Sequence, residues 1–181
     1  RRPWSGKESS GSGSVDPARE IFVKTLTANS FGYWDVGTLA SSPENREIEI
    51  VPALPSGSPA VDFRNFGIQF DPALDAFVLW SGDAEVWLLE PPADLDPDGD
   101  GIKSEISGWM LRRLTPSGVG PTMPSSYTGV YGKWVYLPEE HAYLGVIDPV
   151  AGDVFLYKPP KTGAAHDTTA PAIQSQLSGT L

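Results

Sequence analysis

The sequence predicts an all-β protein in which one β-hairpin unit is repeated along the chain. The first observation is composition: 19 glycines, 18 prolines, six Trp, six Tyr and seven Phe among 181 residues are typical of short strands joined by tight turns. The second is a hairpin-like segment that occurs three times, and the third is the regular spacing of the copies. Together they predict about three antiparallel sheets of four strands each.

The repeated hairpin combines an apolar strand, a turn that contains proline, and a second apolar strand. Proline fixes the backbone angle φ at the turn, and the β-branched and aromatic residues around it favour half-buried strands. The two most similar copies are 15–23 (VDPAREIFV) and 70–78 (FDPALDAFV), and a looser one is 136–144 (YLPEEHAYL). Three such copies predict three hairpins of the same shape.

The second half of each unit repeats as well. Residues 85–92 (EVWLLEPP) align with residues 153–160 (DVFLYKPP), and residues 31–36 (FGYWDV) are the counterpart in the first unit. We predict outer strands at 46–51 and 106–114. The third unit has no predicted outer strand.

The spacing of the three turn prolines indicates units of equal size. Pro17 and Pro72 are 55 residues apart, whereas Pro72 and Pro138 are 66 residues apart, and an Asp-rich insertion of 11 residues at 93–103 accounts for the difference. Four-stranded units of about 50 residues are typical of β-propeller blades, of which a closed propeller has roughly 4–8. We therefore predict an incomplete β-propeller, completed by chain outside this sequence or by a partner that covers its open sheet edges. A β-sandwich whose hairpins share turn chemistry is the alternative.

The repeats divide the chain into three regions. Residues 1–14 contain a Gly/Ser run without hydrophobic periodicity, which predicts a flexible linker. Residues 15–160 hold the β-propeller-like units. Residues 161–181 are again mainly polar, which predicts a linker or tail.

Charge and residue usage exclude several classes of function. The formal net charge of -10 disfavours nucleic acid as a partner, because phosphate backbones bind clustered Lys and Arg. The absence of cysteine excludes disulfides, thiolate metal sites and cysteine nucleophiles. No apolar run approaches the roughly 20 residues that span a bilayer, so no membrane span is predicted.

The Asp-rich insertion is the strongest local signal for a bound ion. Alternate acidic residues in a turn direct several oxygens to one point, as Ca²⁺ requires, and glycine lets the chain bend sharply around the ion. No helical pattern precedes the insertion, so we predict an isolated structural calcium loop between two strands, with a solvated acidic loop as the alternative. The candidate ligands are Asp94, Asp96, Asp98, Asp100 and Glu105.

Exposed aromatic side chains are the remaining binding candidates, because sugar rings stack on Tyr and Trp. Tyr127, Tyr131 and Trp109 are the candidates, with Arg112 as a polar contact. Packing between blades is the competing explanation for the tryptophans. Paired carboxylates could support glycoside hydrolysis, but the sequence does not place any two together, and Asp beside proline or glycine is usual in turns. No catalytic residue is predicted.

Part of the chain resembles a known class of propeller. Residues 129–138 (GVYGKWVYLP), residues 154–159 (VFLYKP) and the preceding 108–116 (GWMLRRLTP) are similar to the last blades of secreted bacterial kelch-like, galactose-oxidase-type β-propellers. Residues 167–171 (DTTAP) resemble connectors that lead into fibronectin type III or Ig-like modules. The kelch glycine doublet is absent, and without cysteine this segment cannot form the copper site with a cysteine-linked tyrosine that galactose oxidase activity requires.

The resemblance implies a secreted, extracellular multidomain protein of bacterial style, with a signal peptide outside this sequence. We expect a non-catalytic binding or scaffold module, with polysaccharide or another protein chain as partner. Two other functions remain open at this point: part of a propeller-fold lyase or hydrolase that acts on carbohydrate, and a structural subunit of a cell-surface assembly.

Overall fold

The protein is all-β in its computed structural model, which confirms the predicted class. The structure describes residues 11–37, 46–58, 60–118, 121, 129–147, 154–159 and 172–174. These residues form three successive sheets rather than the two facing sheets of a β-sandwich. None of them belongs to a helix long and apolar enough to cross a membrane.

The first and second sheets are antiparallel meanders of four strands each. Their strand orders are β1-β2-β3-β4 and β5-β6-β7-β8. The first sheet contains β1 (Gly13–Asp16), β2 (Ile21–Thr25), β3 (Phe31–Asp35) and β4 (Ile48–Ile50). The second sheet contains β5 (Gly67–Asp71), β6 (Ala76–Trp80), β7 (Val86–Glu90) and β8 (Met110–Leu114).

The third sheet departs from the predicted unit. It has five strands in the order β10-β11-β12-β13-β9, and β13 pairs with β9 in parallel. Its strands are β9 (Ser117–Gly118), β10 (Trp134–Leu137), β11 (Ala142–Val146), β12 (Val154–Tyr157) and β13 (Ala172–Gln174). The prediction that this unit lacks an outer strand is therefore wrong. The additional strand lies in the region predicted to be a tail, and its partner follows the second sheet.

The three predicted hairpins have the same register, which confirms the internal repeat. In each one, the residue that ends the first strand pairs with the residue five positions later. These pairs are Asp16 and Ile21, Asp71 and Ala76, and Leu137 and Ala142. The residue before the second strand is left-handed in all three turns: Glu20 (φ 52°), Asp75 (φ 52°) and His141 (φ 42°).

Aspartate closes the first two of these turns. The Asp16 carboxylate accepts the backbone N–H groups of Ala18 and Arg19, and the Asp71 carboxylate accepts those of Ala73 and Leu74. Such Asx turns satisfy backbone donors that proline-containing turns leave unpaired. The third turn has leucine at the equivalent position and instead forms a short 3-10 helix, Pro138–Glu140.

The second sheet is buried on both faces, and its alternate residues face different neighbours. We call the face toward the preceding sheet the leading face and the face toward the following sheet the trailing face. On the second sheet, the leading face includes Phe70, Phe77, Leu79, Trp87 and Leu89, which pack in one cluster with the first sheet. The trailing face includes Ala76, Val78, Trp80, Val86 and Leu88, which pack in a second cluster with the third sheet.

The first strands of the three sheets lie side by side, with β5 between β1 and β10. The Ser14 hydroxyl accepts the backbone N–H of Phe70 at 2.9 Å, and the Ser12 hydroxyl accepts that of Ile68 at 3.3 Å. On the other side of the second sheet, the Trp134 indole N–H donates to the Val78 carbonyl at 3.2 Å. The three sheets therefore pack against one another in chain order, and the first strand of each sheet contacts the first strand of the next.

Candidate functional site

The Asp-rich insertion lies in the connection between β7 and β8, as predicted, and brings three carboxylates together. Oxygens of Asp96, Asp98 and Asp100 lie within 4.8 Å of one another. Asp96 is half-buried, and the other two are exposed. Like charges at this separation repel, so a cation bound between them would lower the local electrostatic energy.

Two glycines and several hydrogen bonds from backbone N–H groups determine the conformation of the insertion. Gly99 (φ 72°) and Gly101 (φ 86°) adopt the left-handed conformation that lets the chain turn twice over a few residues. The Asp96 carboxylate accepts the Gly101 N–H through Oδ2 at 2.9 Å, whereas its buried Oδ1 has no hydrogen-bond partner among the described residues. Asp100 Oδ1 accepts the Ile102 N–H at 2.8 Å. These hydrogen bonds between backbone N–H groups and carboxylates therefore fix the conformation of the turn.

The other two predicted calcium ligands lie outside this group. Asp94 Oδ1 accepts the N–H of Asp96 at 2.9 Å, in an Asx turn at the start of the insertion. Glu105 accepts the hydroxyl of Ser107 at 2.6 Å, and this bond lowers the pKa of the Glu105 carboxyl. The structure therefore brings together three of the five predicted ligands.

The base of the insertion is fixed to the first sheet. Leu95 is buried, and its carbonyl accepts the N–H groups of Ser104 and Glu105. The Lys103 ammonium bonds to the buried Asp35 carboxylate at 2.9 Å. The Glu105 carbonyl accepts the Tyr33 hydroxyl at 3.0 Å. Burial raises the pKa of Tyr33, which keeps this hydroxyl protonated as a donor. The three clustered aspartates therefore lie in a loop whose base is fixed to the first sheet.

The three predicted ligand-binding residues that the structure describes have separate surroundings and do not share a contact in it. Trp109 is buried in the core, where its ring contacts Tyr33 at 5.4 Å, so it is not available for stacking on a sugar. Tyr131 is half-buried and donates to the Asn65 side chain at 2.8 Å. Arg112 pairs with Glu90 on the neighbouring strand at 2.9 Å. Tyr127 lies outside the described residues.

A buried aspartate joins the second and third sheets, and the sequence did not predict this contact. The Asp71 side chain is fully buried. Its Oδ2 accepts the Tyr143 hydroxyl at 3.0 Å and lies 3.2 Å from His141 Nε2. Burial, followed by the charge of Asp71, raises the pKa of Tyr143 well above its ordinary value, so this hydroxyl remains a donor. The repeat alignment places His141 at a turn position but does not show which strand end it approaches.

An ion pair at the equivalent place joins the first and second sheets. Arg19 donates to Asp16 at 2.8 Å and binds Asp75 through both terminal nitrogens at 2.6 Å. This bond lowers the pKa of Asp75 and raises that of Arg19. Asp75 occupies the turn position of His141. The aspartate and histidine pair is therefore one of two similar ties between consecutive sheets.

Several carboxylates of the hairpins and turns, which are the acidic groups available for glycoside hydrolysis, have structural partners. Glu85 pairs with Arg113 at 3.0 Å, and Asp83 accepts the backbone N–H of Glu85 at 2.9 Å. Asp71 and Asp75 form the inter-sheet ties. These bonds hold turns and neighbouring strands in place.

Comparisons of the chain with protein-family models, with curated proteins and with solved structures gave no match. The resemblance to kelch-like propellers therefore stays a prediction that depends on the motifs quoted above.

Proposed function

We propose that the chain is a non-catalytic, extracellular segment of a β-propeller that acts as a binding or scaffold module, with carbohydrate as the ligand class. The observation that carries this proposal is the repeated sheet arrangement. Three sheets follow one another with their first strands side by side, and the middle sheet is buried on both faces. Successive blades of a propeller pack in this way around a central axis.

A binding role is favoured over catalysis because of what the ionisable side chains do. The carboxylates of Asp71, Asp75, Glu85 and Glu90 bond to neighbouring strands or sheets. Groups that act in acid and base catalysis of glycoside hydrolysis must instead face the substrate as a pair. Carbohydrate as the ligand class is supported by the resemblance and by the exposed side chain of Arg112.

A glycan array followed by a turnover assay tests this function. We expect binding of a polysaccharide fragment without release of product. Replacing Arg112 with alanine should weaken binding by about 10- to 150-fold, since hydrogen bonds to a charged group contribute roughly 1.5–3 kcal/mol. Arg113→Ala is the matched control, because Arg113 lies on the same strand and pairs with a different glutamate.

Three other results would change the proposed function. Product release from an acidic polysaccharide would identify a carbohydrate-active enzyme, and filament formation would identify a structural subunit. Absence of binding to any glycan would remove carbohydrate from the proposal.

We also propose that the Asp-rich insertion binds calcium in a structural role. The proposal is supported by the convergence of the Asp96, Asp98 and Asp100 oxygens and by the sharp turn that the two glycines allow. Oxygen donors of this kind suit Ca²⁺, and sites on extracellular modules have dissociation constants of about 0.1–1 mM.

Calorimetry with Ca²⁺ tests the calcium site. We expect binding in the range of about 0.1–1 mM, lost in a variant that carries Asp98→Asn and Asp100→Asn, because each change removes an anionic ligand. Glu139→Gln is the control, since it removes a negative charge from an exposed turn of the third sheet. Equal binding heats in the double variant and the control, or no heat at all, would contradict the site.

A further inference from the structure

Two apolar sheet faces remain open at the ends of the row of sheets. One is the face of the first sheet that points away from the second sheet, and we call it the leading face of the first sheet. On it, Val15, Phe22 and Trp34 form a row across β1, β2 and β3. The other is the trailing face of the third sheet, where Val135, Leu144 and Leu156 form a row across β10, β11 and β12. In the described part of the chain, no fourth sheet covers either face.

Exposure of these rows differs from exposure of their counterparts in the second sheet. Val15 is 47% exposed and Val135 is 43% exposed, and the other members of both rows are half-buried. Contiguous apolar side chains that are at least partly exposed indicate an interaction surface, whereas single exposed apolar residues do not.

The open leading face has the chemistry of two leading faces that are buried. The row of Val15, Phe22 and Trp34 corresponds in register to two other rows. These are Phe70, Phe77 and Leu89 on the second sheet, and Tyr136, Tyr143 and Tyr157 on the third sheet. Each row contains a cross-strand aromatic pair. The ring centroids are 5.6 Å apart for Phe22 and Trp34, 5.1 Å for Phe70 and Phe77, and 4.9 Å for Tyr136 and Tyr143.

The open trailing face likewise matches a buried one. Val135, Leu144 and Leu156 correspond to Gln69, Val78 and Leu88, of which Val78 and Leu88 are fully buried against the third sheet. The trailing face of the third sheet is therefore similar to the trailing face of the second sheet, on which a leading face packs. A trailing face meets a leading face twice within one chain, between the first and second sheets and between the second and third.

We propose that two copies of the chain associate head to tail, the trailing face of each third sheet packing on the leading face of the other copy's first sheet. A second copy is the occupant that fits both faces at once, because each copy brings one face of each kind. The two contacts are then identical, and the ring closes with six sheets, within the roughly 4–8 blades of known propellers. The inference rests on the blade arrangement proposed above.

The hydrogen bonds between first strands indicate which residues meet in the dimer. Within one chain, Ser14 contacts the backbone of Phe70. Ser14 holds the position of Val135 in its hairpin, and Phe70 holds the position of Val15. Val135 of one copy therefore lies beside Val15 of the other. The equivalents of Asp16 and Asp71 are absent at this contact, since the third sheet has Leu137 there, so the interface is held by apolar packing.

Charge opposes this association. Each copy carries a formal net charge of -10, so two copies repel each other over distances that salt screens. We expect the dimer to become stronger as ionic strength rises, because screening removes repulsion while apolar packing remains.

Light scattering coupled to size-exclusion chromatography, on the full 181-residue chain from about 1 to 100 µM, tests the dimer. We expect twice the monomer mass at the upper concentrations. Val15→Lys or Val135→Glu alone should raise the dissociation constant at least about 100-fold, since each buries an unpaired charge. The double variant should restore the dimer, because the lysine of one copy then meets the glutamate of the other. Ile106→Lys, at an exposed site in the connection between β7 and β8, is the control.

A monomer at every concentration, a dimer unaffected by Val15→Lys, or open-ended oligomers would overturn the inference. Glycan binding measured on the same samples separates the two proposals. A monomer that binds glycan contradicts the dimer and leaves the binding function intact.

Discussion

Replacing Trp134 with alanine is expected to lower the free energy of unfolding by about 3–5 kcal/mol, the usual cost of a buried tryptophan cavity. Trp134 is 1% exposed and lies between the second and third sheets. Its ring stacks on Tyr143 at 4.8 Å and contacts Trp80 at the same distance. Since small domains are stable by only about 5–15 kcal/mol, this loss would be a large part of the total stability.

Denaturant unfolding of Trp134→Ala and Trp134→Phe measures the effect. Phenylalanine keeps most of the packing but loses the hydrogen bond from the indole N–H to Val78, which contributes about 0.5–1.5 kcal/mol. We therefore expect the phenylalanine variant to lie between the wild type and the alanine variant. An alanine variant within about 1 kcal/mol of the wild type would contradict the central position of Trp134.

Local turn chemistry made the hairpins predictable from the sequence. An aspartate before proline closes its own turn, so Asp16 and Asp71 define both the turn and the register of the strands around it. The Asp-rich insertion was placed correctly between β7 and β8 for a similar reason, because its acidic and glycine residues cannot continue either strand.

Burial of the tryptophans was less predictable. Alternation of apolar and polar residues shows which strand face is buried, but the two central strands of the second sheet, β6 and β7, are apolar on both faces. Trp109 is a predicted sugar-binding residue because its place just before β8 gives no sign of Tyr33, which covers it from the first sheet. The sequence also does not show where a ring needs space: a Cβ on Gly145 would overlap the Trp80 ring.

Contacts between distant segments carry no local signal at all. The parallel pairing of β13 with β9 joins residues near 117 and 172, and neither segment has the length or apolar alternation that identifies a strand. The bond between Lys103 and Asp35 spans 68 residues. Sequence alone therefore placed the acidic insertion between strands but did not reveal its anchor on the first sheet.

The tie between the second and third sheets gives the other large expected effect. Asp71→Ala should lower the free energy of unfolding by about 3–5 kcal/mol, because it leaves the buried Tyr143 hydroxyl and two backbone N–H groups without their acceptor. Asp83→Ala is the matched control. Asp83 also closes an Asx turn, but it is half-buried, and its carboxylate accepts only the N–H of Glu85 among the described contacts. The bond from the Trp80 indole goes to the Asp83 carbonyl, which alanine keeps, so we expect a loss of about 1 kcal/mol.

A double-mutant cycle with Tyr143→Phe isolates the bond between the sheets. If Asp71 acts through the Tyr143 hydroxyl, removing both groups should cost less than the sum of the single losses, by about 1–3 kcal/mol. Removing the hydroxyl alone should also destabilise the protein, because the buried carboxylate then loses a donor from the third sheet. Additive losses, or an Asp71→Ala variant no less stable than Asp83→Ala, would show that Asp71 merely shapes its own turn and that apolar packing alone joins the two sheets.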